Sequence, residues 1–379
     1  MPSVRRLREQ KRELVQKHAH ASDGRGIGQL ATTLVPLAAL WWIADWSVDI
    51  SWWLTAATIL LISLYTLRVF ALMHECGHGS LCHSQGLNRA AGFIFGVISG
   101  MPQYVWSQHH NYHHLHNGNW DKYRGPLSTL SVDEYAALNS SKQRFYRQSR
   151  HLALAPLGGF VYLIFNPRFN WLKGCVGLLR HTLRAKVANP RVAFKTHAAA
   201  FRTRYWQSAK EFRHMTGNNL VLLAVWLTLW FAIGAGPFIA IYLISLSIAG
   251  GAGIVLFTVQ HNFEHAYAAD TERWDCDAGS LRGTSFLVLP AWLNWFTANI
   301  GYHHIHHLSA AIPNYSLVRC HNENRDLFTE VSRLRLSQIH ASLKCILWDR
   351  QAQRIISVAE YHRQLAALVV NPPQVARGG

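Results

Sequence analysis

Four long apolar runs, arranged as two pairs, dominate the pattern of hydrophobic and polar positions along the 379-residue chain. Leu30–Trp46 and Trp52–Met73 form the first pair, and Leu220–Ile233 and Pro237–Val259 form the second. A helix of roughly 20 residues crosses the hydrocarbon core of a bilayer, and the runs approach or reach that length. We therefore predict two transmembrane helical hairpins, in preference to the buried helices of a large soluble protein.

Basic residues avoid both hairpins. The chain contains 37 Lys and Arg, but none lies from Ile27 to Leu67 or from Gly217 to Gln260, and Arg68 is near enough to a helix end to snorkel. Lys and Arg accumulate on the cytoplasmic side of membrane proteins, so the hairpin tips should face outward and the remainder the cytoplasm. The basic N-terminus lacks an adjacent cleavage site, which argues against a signal peptide. We expect an integral protein of a bacterial inner membrane.

Composition narrows the classes of partner. The net charge of +17 indicates binding to anionic lipid headgroups and not to nucleic acid, because the chain has four predicted membrane helices. Six cysteines show no CxxC spacing and all fall in predicted cytoplasmic segments, where thiols stay reduced. A disulfide framework is therefore not expected.

Histidine is concentrated beside the hairpins. Fourteen of the 23 histidines fall within 74–116, 261–265 and 303–307. Spacings of three and four place histidines on one face of a helix, and imidazole is the commonest protein ligand of transition metals. Two of the four boxes come just past the ends of apolar runs that exit on the same side, so the boxes can meet there. They are HECGH at 74–78, HNYHH at 110–114, HNFEH at 261–265 and HHIHH at 303–307.

Three other classes of metal-binding protein explain the boxes less well. HECGH fits the HExxH helix of zinc proteases, but that motif needs only one further ligand and leaves the other boxes unexplained. A metal transporter would place ligands near the bilayer midplane, whereas the predicted spans contain no histidine. Bis-histidine haem binding fails for the same reason. The boxes favour a site for two metal ions.

The predicted fold is an all-α integral membrane protein, in which a cytoplasmic helical cap holds a histidine-ligated di-metal site. Ala90–Val105, interrupted by Gly and Pro, should lie at the interface or re-enter the membrane. From Tyr135 to Gly217 there are 15 basic residues and one acid, so this surface should rest on anionic lipid or receive an acidic electron donor or acyl carrier.

One domain is expected over 1–379: a basic interfacial arm (1–26), hairpin one (27–73), a cytoplasmic segment (74–218), hairpin two (219–260), a cytoplasmic segment (261–318) and a polar helix with a frayed tail (319–379).

The order of the boxes resembles the membrane fatty acid desaturase superfamily, and the resemblance extends from about Leu72 to Tyr315. Three spaced boxes together are specific, whereas one alone is not. The sequence that flanks the boxes is similar to that of the acyl-lipid, methyl-end branch: HECGHGS at 74–80, VQHNFEH at 259–265, NIGYHHIHHL at 299–308 and IPNY at 312–315.

The resemblance implies two iron ions per chain, held mainly by histidines. His261, which follows Gln260, is the expected ninth ligand, and His265, one helical turn further on, is its rival. The eight ligands implied by the other boxes are His74, His78, His110, His113, His114, His303, His306 and His307.

Several neighbouring polar residues receive supporting roles by the same resemblance. Glu75 and Glu264 should hydrogen-bond ligand N–H groups, and Asn299 should hold a water on iron. His304 does not fit the boxes, and neither do histidines 83, 109 and 116. These four either orient ligands or are polar surface.

The function implied is an O2-dependent oxidation of unactivated C–H bonds in a long-chain fatty acid or acyl lipid. Desaturation is the favoured outcome; a hydroxylase, an acetylenase and an alkene-forming decarboxylase use the same boxes. Electrons must come from a separate ferredoxin-, rubredoxin- or cytochrome-type donor with its reductase, because the chain contains no fused haem motif and its cysteines lack cluster spacing.

Overall fold

The computed structural model describes residues 2–370, and most of them are helical. The tail predicted beyond Val370 lies outside the described residues. A π-helical turn, Val161–Phe165, joins the helices Ala155–Phe160 and Asn166–Ala188. The α-helices are α1 (Pro2–His18), α2 (Asp23–Ser47), α3 (Trp52–His78), α4 (Gln85–Ser99), α5 (Gln103–His116), α6 (Val132–Ala136), α7 (Ser140–Gln148), α8 (Ala155–Phe160), α9 (Asn166–Ala188), α10 (Phe194–Ala200), α11 (Ala209–Ile233), α12 (Ala235–His261), α13 (Cys276–Arg282), α14 (Ala291–Phe296), α15 (His303–Leu308), α16 (Asn314–Glu323), α17 (Ile339–Ser342) and α18 (Val358–Val370).

Two small β-sheets accompany the helices, so the structure is mostly helical but not all-α as predicted. One sheet is the parallel pair Ser285–Val288 and Ser332–Arg335. In the other sheet, Cys345–Asp349 lies between parallel Leu130–Ser131 and antiparallel Arg354–Ser357. The region after residue 319, for which a polar helix and a tail were predicted, contains three strands as well as the C-terminal helix Val358–Val370. Its apolar runs are too short to show a period in the sequence. The strands are β1 (Leu130–Ser131), β2 (Ser285–Val288), β3 (Ser332–Arg335), β4 (Cys345–Asp349) and β5 (Arg354–Ser357).

Five helices of the described chain are long and apolar enough to cross a membrane, one more than predicted. Four of them, α2, α3, α11 and α12, are the two expected hairpins. The fifth, Leu152–Ala188, lies in the segment predicted to be cytoplasmic. The sequence obscured it because its apolar half carries Pro156, Gly158 and Gly159, and its second half is basic.

Glycines let the fifth helix pack closely on α12. A Cβ atom added to Gly159 would lie 2.3 Å from the carbonyl carbon of Gly250 and 2.3 Å from the backbone nitrogen of Gly251. Small residues allow two helix backbones to approach in this way within membranes. The segment around α8 is therefore fixed against the helix that ends at His261.

Arg68 lies inside α3 and is buried, contrary to the snorkelling that the sequence suggested. Its Nε donates to Thr33 Oγ1 at 2.9 Å, and a terminal nitrogen bonds the carbonyl of Trp295. The guanidinium carbon lies 3.8 Å from the centroid of the Trp295 ring. Hydrogen bonds and the aromatic face thus satisfy a buried charge and tie α14 to both helices of the first hairpin.

The basic N-terminal helix α1 packs on the protein, although it was predicted to lie on lipid. Arg8 Nε and Lys11 Nζ bond the two oxygens of Asp277 at 3.1 and 2.8 Å. Leu7 of the same helix is buried in the same hydrophobic cluster as Ile305 of α15. The arm therefore packs on α13 and α16, which flank the helix that carries the last histidine box.

The Gly159 contact predicts a difference between adjacent residues. In Gly159→Ala the new methyl group meets backbone, so α8 and α12 must separate, and overpacking of this kind costs about 1–3 kcal/mol. In Gly158→Ala the methyl group meets only Ile254 Cδ1, at 3.4 Å. We expect thermal unfolding in detergent to occur at lower temperature for Gly159→Ala and at unchanged or higher temperature for Gly158→Ala. Equal midpoints would contradict close packing at this crossing.

Candidate metal centre

Four helices bring their histidines to one place. His74 and His78 occupy the last turn of α3, and His261 is the last residue of α12. The short helices α5 and α15 carry the HNYHH and HHIHH boxes. Two apolar helices from different hairpins therefore end at the same site.

Nine histidines form two groups, and the candidate ligand atoms within each group lie within 4.8 Å of one another. On α5 and on α15, the pair spaced by four faces one group, while the third histidine faces the other. Neither group is made by a single box. The five-histidine group contains His74, His78, His110, His114 and His306, and the four-histidine group contains His113, His261, His303 and His307.

The imidazole nitrogens are spaced as ligands of a common metal ion would be. Nε2–Nε2 distances are 3.0 Å for His110–His114, 3.1 Å for His113–His307 and 2.9 Å for His261–His303. Two nitrogens bound at about 2.1 Å and at right angles are about 3.0 Å apart. Both groups therefore fit metal ions with imidazole ligands.

Unpaired nitrogen atoms support the same fit. Within the described chain, neither ring nitrogen of buried His306 has a hydrogen-bond partner, and the same holds for Nε2 of His78. A buried polar atom without a partner is costly, so these atoms need a ligand that the protein itself does not supply. A metal ion at the five-histidine group would satisfy one nitrogen of each of these two rings.

Electrostatics keeps these imidazoles in the form that binds metal. Burial, followed by the neighbouring imidazoles, lowers the pKa of all six histidines that α5 and α15 contribute well below its usual value. Protonation would place several positive charges in a buried space. The rings are therefore neutral at neutral pH, with a lone pair available to a cation.

His261 and His265, which the sequence left as rivals, lie in different environments. Helix α12 ends at His261, so the helical turn assumed to connect the two residues does not form. His265 is exposed, adopts a left-handed backbone (φ 69°) and lines a surface cavity of about 480 Å³. His261 Nδ1 lies 3.3 Å from the carbonyl of Gly283, which leaves its Nε2 for a metal.

Glu75 lies beside the five-histidine group. Its Oε1 is 3.4 Å from His74 Nδ1 and 3.9 Å from His306 Nδ1. Its Oε2 accepts hydrogen bonds from the backbone N–H of Asn314, at 3.0 Å, and from Ser80 Oγ, at 3.2 Å. The carboxylate therefore connects α3 to α16 and faces the outer nitrogens of two histidines.

The other residues with predicted supporting roles lie elsewhere. Glu264 is exposed and bonds Arg354 at 2.6 Å, so it does not face the histidines. The Asn299 side chain donates to the carbonyl of Asn314. His304 is buried outside both groups, with its Nε2 3.0 Å from Nδ1 of His321.

The remaining extra histidines also stay outside the groups. His83 and His109 are exposed, and His116 Nδ1 lies 2.9 Å from the carbonyl of Tyr112. His109 and His116 belong to the surface of α5, and His83 lies in the loop between α3 and α4.

The structure adds aromatic neighbours of the histidines that the box motifs alone do not predict. Trp106 stacks on His110, Tyr123 packs on His113, and Phe257 packs on His261. Trp106 and Phe257 each precede their histidine by four residues, a spacing visible in the sequence. The proximity of Tyr123 follows from a loop and has no such signal.

Comparison with known proteins identifies the family of the chain. The family model of the fatty acid desaturases matches residues 50–338. A fatty acid desaturase of Bacillus subtilis is 33% identical over 335 residues, covering 87% of this chain and 84% of the relative. The sn-1 oleoyl-lipid 12-desaturases of Anabaena variabilis and Synechocystis are 23% and 25% identical, covering 72% and 74% of this chain and 69% and 72% of their own lengths. Neither a zinc protease nor a metal transporter accounts for these matches, and the chain belongs to the fatty acid desaturase family of oxidoreductases.

Proposed function

We propose that this protein is an O2-dependent di-iron oxidoreductase that desaturates a long fatty acyl chain. The observation that carries the proposal is the pair of adjacent histidine groups, with five and four candidate ligands. A single group of histidines would be compatible with many kinds of metal-binding protein. Two groups that share helices α5 and α15 suit a site for two metal ions. Imidazole accepts several transition metals, and membership of the family favours iron among them.

The histidines of each group would hold one iron ion. When bound and reduced, such a centre supplies the activation of O2 that removes hydrogen from an unactivated C–H bond. The chain's own contribution is orientation. Gly283 and Glu75 face Nδ1 of His261 and of His74, which favours a proton on Nδ1 and presents Nε2 to the metal.

The substrate is an acyl chain of a membrane lipid or a free fatty acid. Two relatives are named for an sn-1 oleoyl lipid, which supports the acyl-lipid branch. Hydroxylation, acetylenic bond formation and alkene-forming decarboxylation are the alternative outcomes at the same site. A separate ferredoxin-, rubredoxin- or cytochrome-type donor with its reductase would deliver electrons, since the described cysteines form no cluster of metal ligands with one another.

The topology we propose has four membrane crossings within one membrane domain of a bacterial inner membrane. Helices α3 and α12 both end at the histidine groups, so these two ends lie on one side of the membrane. Between α3 and α11 the chain must cross an even number of times. A single crossing by the fifth helix, Leu152–Ala188, would be an odd number, so this helix enters or borders the bilayer without crossing it. The basic segments and the metal centre then face the cytoplasm.

Metal content and single variants test the assignment of ligands. Purified protein should contain close to two iron ions per chain by elemental analysis. His261→Ala should lower iron content and abolish product, because it removes a proposed ligand. His265→Ala is the matched control and should retain both. The reverse ranking would move the ligand to His265, and one zinc ion with negligible iron would contradict the di-iron proposal.

Surface labelling tests the topology. A membrane-impermeant thiol reagent applied from outside should label Val48→Cys and Ala235→Cys, which lie at the hairpin tips. It should not label Lys122→Cys or Asn189→Cys, although both positions are exposed on the protein. The unaltered chain, with its six native cysteines, is the control for background. Outside labelling at residue 189 would show that Leu152–Ala188 crosses the membrane.

Lipid analysis tests the reaction. Mass spectrometry of lipids and volatiles from cells that express the protein should show a new double bond in an acyl chain. A variant with both His303→Ala and His307→Ala, which removes half of the four-histidine group, is the inactive control. A hydroxyl group or an alkene shorter by one carbon would assign one of the alternative reactions.

A further inference from the structure

Aromatic residues precede histidines at a constant spacing on three of the four histidine-bearing helices. Residues four apart lie on the same face of a helix, about one turn from each other. Each ring is therefore placed beneath the histidine that follows it. The pairs are Phe70 and His74 on α3, Trp106 and His110 on α5, and Phe257 and His261 on α12.

Two of the rings lie under the five-histidine group. The Trp106 ring is stacked on His110, with centroids 4.5 Å apart and planes 13° apart, and its centroid is 5.7 Å from that of His74. Phe70 meets Trp106 edge-on at 5.4 Å. Together these two side chains cover the membrane-facing side of that group, because Phe70 lies one turn deeper in α3 than its histidine.

Phe257 extends the layer under the second group. Its ring centroid is 5.1 Å from His113 and 5.2 Å from His261, which both belong to the four-histidine group. It is also 6.2 Å from His110, which belongs to the other group. Among the three aromatic residues, Phe257 is the one in ring contact with both histidine groups, so it lies next to the boundary between them.

The layer has one covered side and one open side. His74, His110 and His261 are buried, whereas Phe70, Trp106 and Phe257 all remain partly exposed. Phe70 and Phe257 belong to the long apolar helices α3 and α12 and precede their histidines, so these rings lie toward the apolar part of each helix. We call the rings of Phe70, Trp106 and Phe257 the aromatic floor.

We propose that the aromatic floor binds the reacting segment of the acyl chain, and that Phe257 determines which carbon is presented to the metal centre. This inference rests on the proposed function. A methylene chain has no polar group near its reacting carbons, so shape and apolar contact must set its position. Aromatic rings supply a large and rigid apolar surface for that purpose.

Tyr162 holds Trp106 in its place in the floor. The indole Nε1 of Trp106 donates a hydrogen bond to Tyr162 Oη at 2.8 Å. Tyr162 lies in the π-helical turn of the fifth helix, where one extra residue redirects the side chains that follow. This otherwise unexplained helix therefore has a part in the site: it positions the ring that stacks on His110.

Product analysis of Phe257 variants tests the proposal. Phe257→Leu keeps an apolar side chain of reduced size, and Phe257→Ala removes the ring. We expect both to retain iron while the double bond shifts along the chain or becomes distributed over several positions, more so for alanine. Phe231→Ala is the matched control, because Phe231 is an 81% exposed aromatic residue on the membrane helix α11. Its product should be unchanged.

A second measurement is independent of turnover. A long-chain fatty acid with a mid-chain diazirine is photolysed with metal-free protein, and the labelled peptides are identified. Label should appear on the peptides that contain Trp106 or Phe257 and should decrease in Phe257→Ala. This readout also decides the outcome if that variant loses iron.

The failure of this inference differs from the failure of the proposed function. Unchanged double-bond positions in iron-replete Phe257→Leu and Phe257→Ala, with crosslinks elsewhere, would overturn the role of the floor. An unaltered chain that holds iron but oxidises no acyl chain would instead contradict the function, while the crosslinks would still locate an acyl site.

Discussion

Nine imidazole rings packed without charge in one buried space are the constraint on which the rest of the structure depends. A neutral imidazole carries one donor and one acceptor, and leaving either unpaired away from water is unfavourable. Several of these nitrogens have no hydrogen-bond partner in the described chain or lie against the nitrogen of another imidazole. A bound cation would accept the lone pairs of these nitrogens. It can do so only if the histidine-bearing helices hold the rings at fixed positions relative to one another.

Hydrogen bonds from the membrane helices hold those positions. Gln260 Nε2 donates to the carbonyl of Ile300 at 2.7 Å, which fixes the loop that leads into α15. Glu75 bonds the backbone of Asn314 at the start of α16. Both residues are neighbours of proposed ligands on membrane helices, so the position of each ligand is coupled directly to the short helices α15 and α16.

The sequence predicted the membrane hairpins and the residues of the centre better than their arrangement. Periodicity and the absence of charge reveal a long apolar helix, and box spacing reveals which histidines share a face. Division of α5 and α15 between two groups depends on the crossing of four helices, which no local pattern encodes. The end of α12 at His261, which separates it from His265, was equally hidden, because Asn262 to Glu264 contain no proline or glycine that would announce a helix end.

Helix α1 has a consequence for the order in which the protein assembles. It is synthesised first, yet the side chains that it binds, Asp277 of α13 and Ile305 of α15, are synthesised near the end of the chain. During translation its basic face has only anionic lipid or water as a partner, and its buried face has none. The contacts of α1 can therefore form only after α13 and α15 have been synthesised, so they join the two ends of the folding sequence.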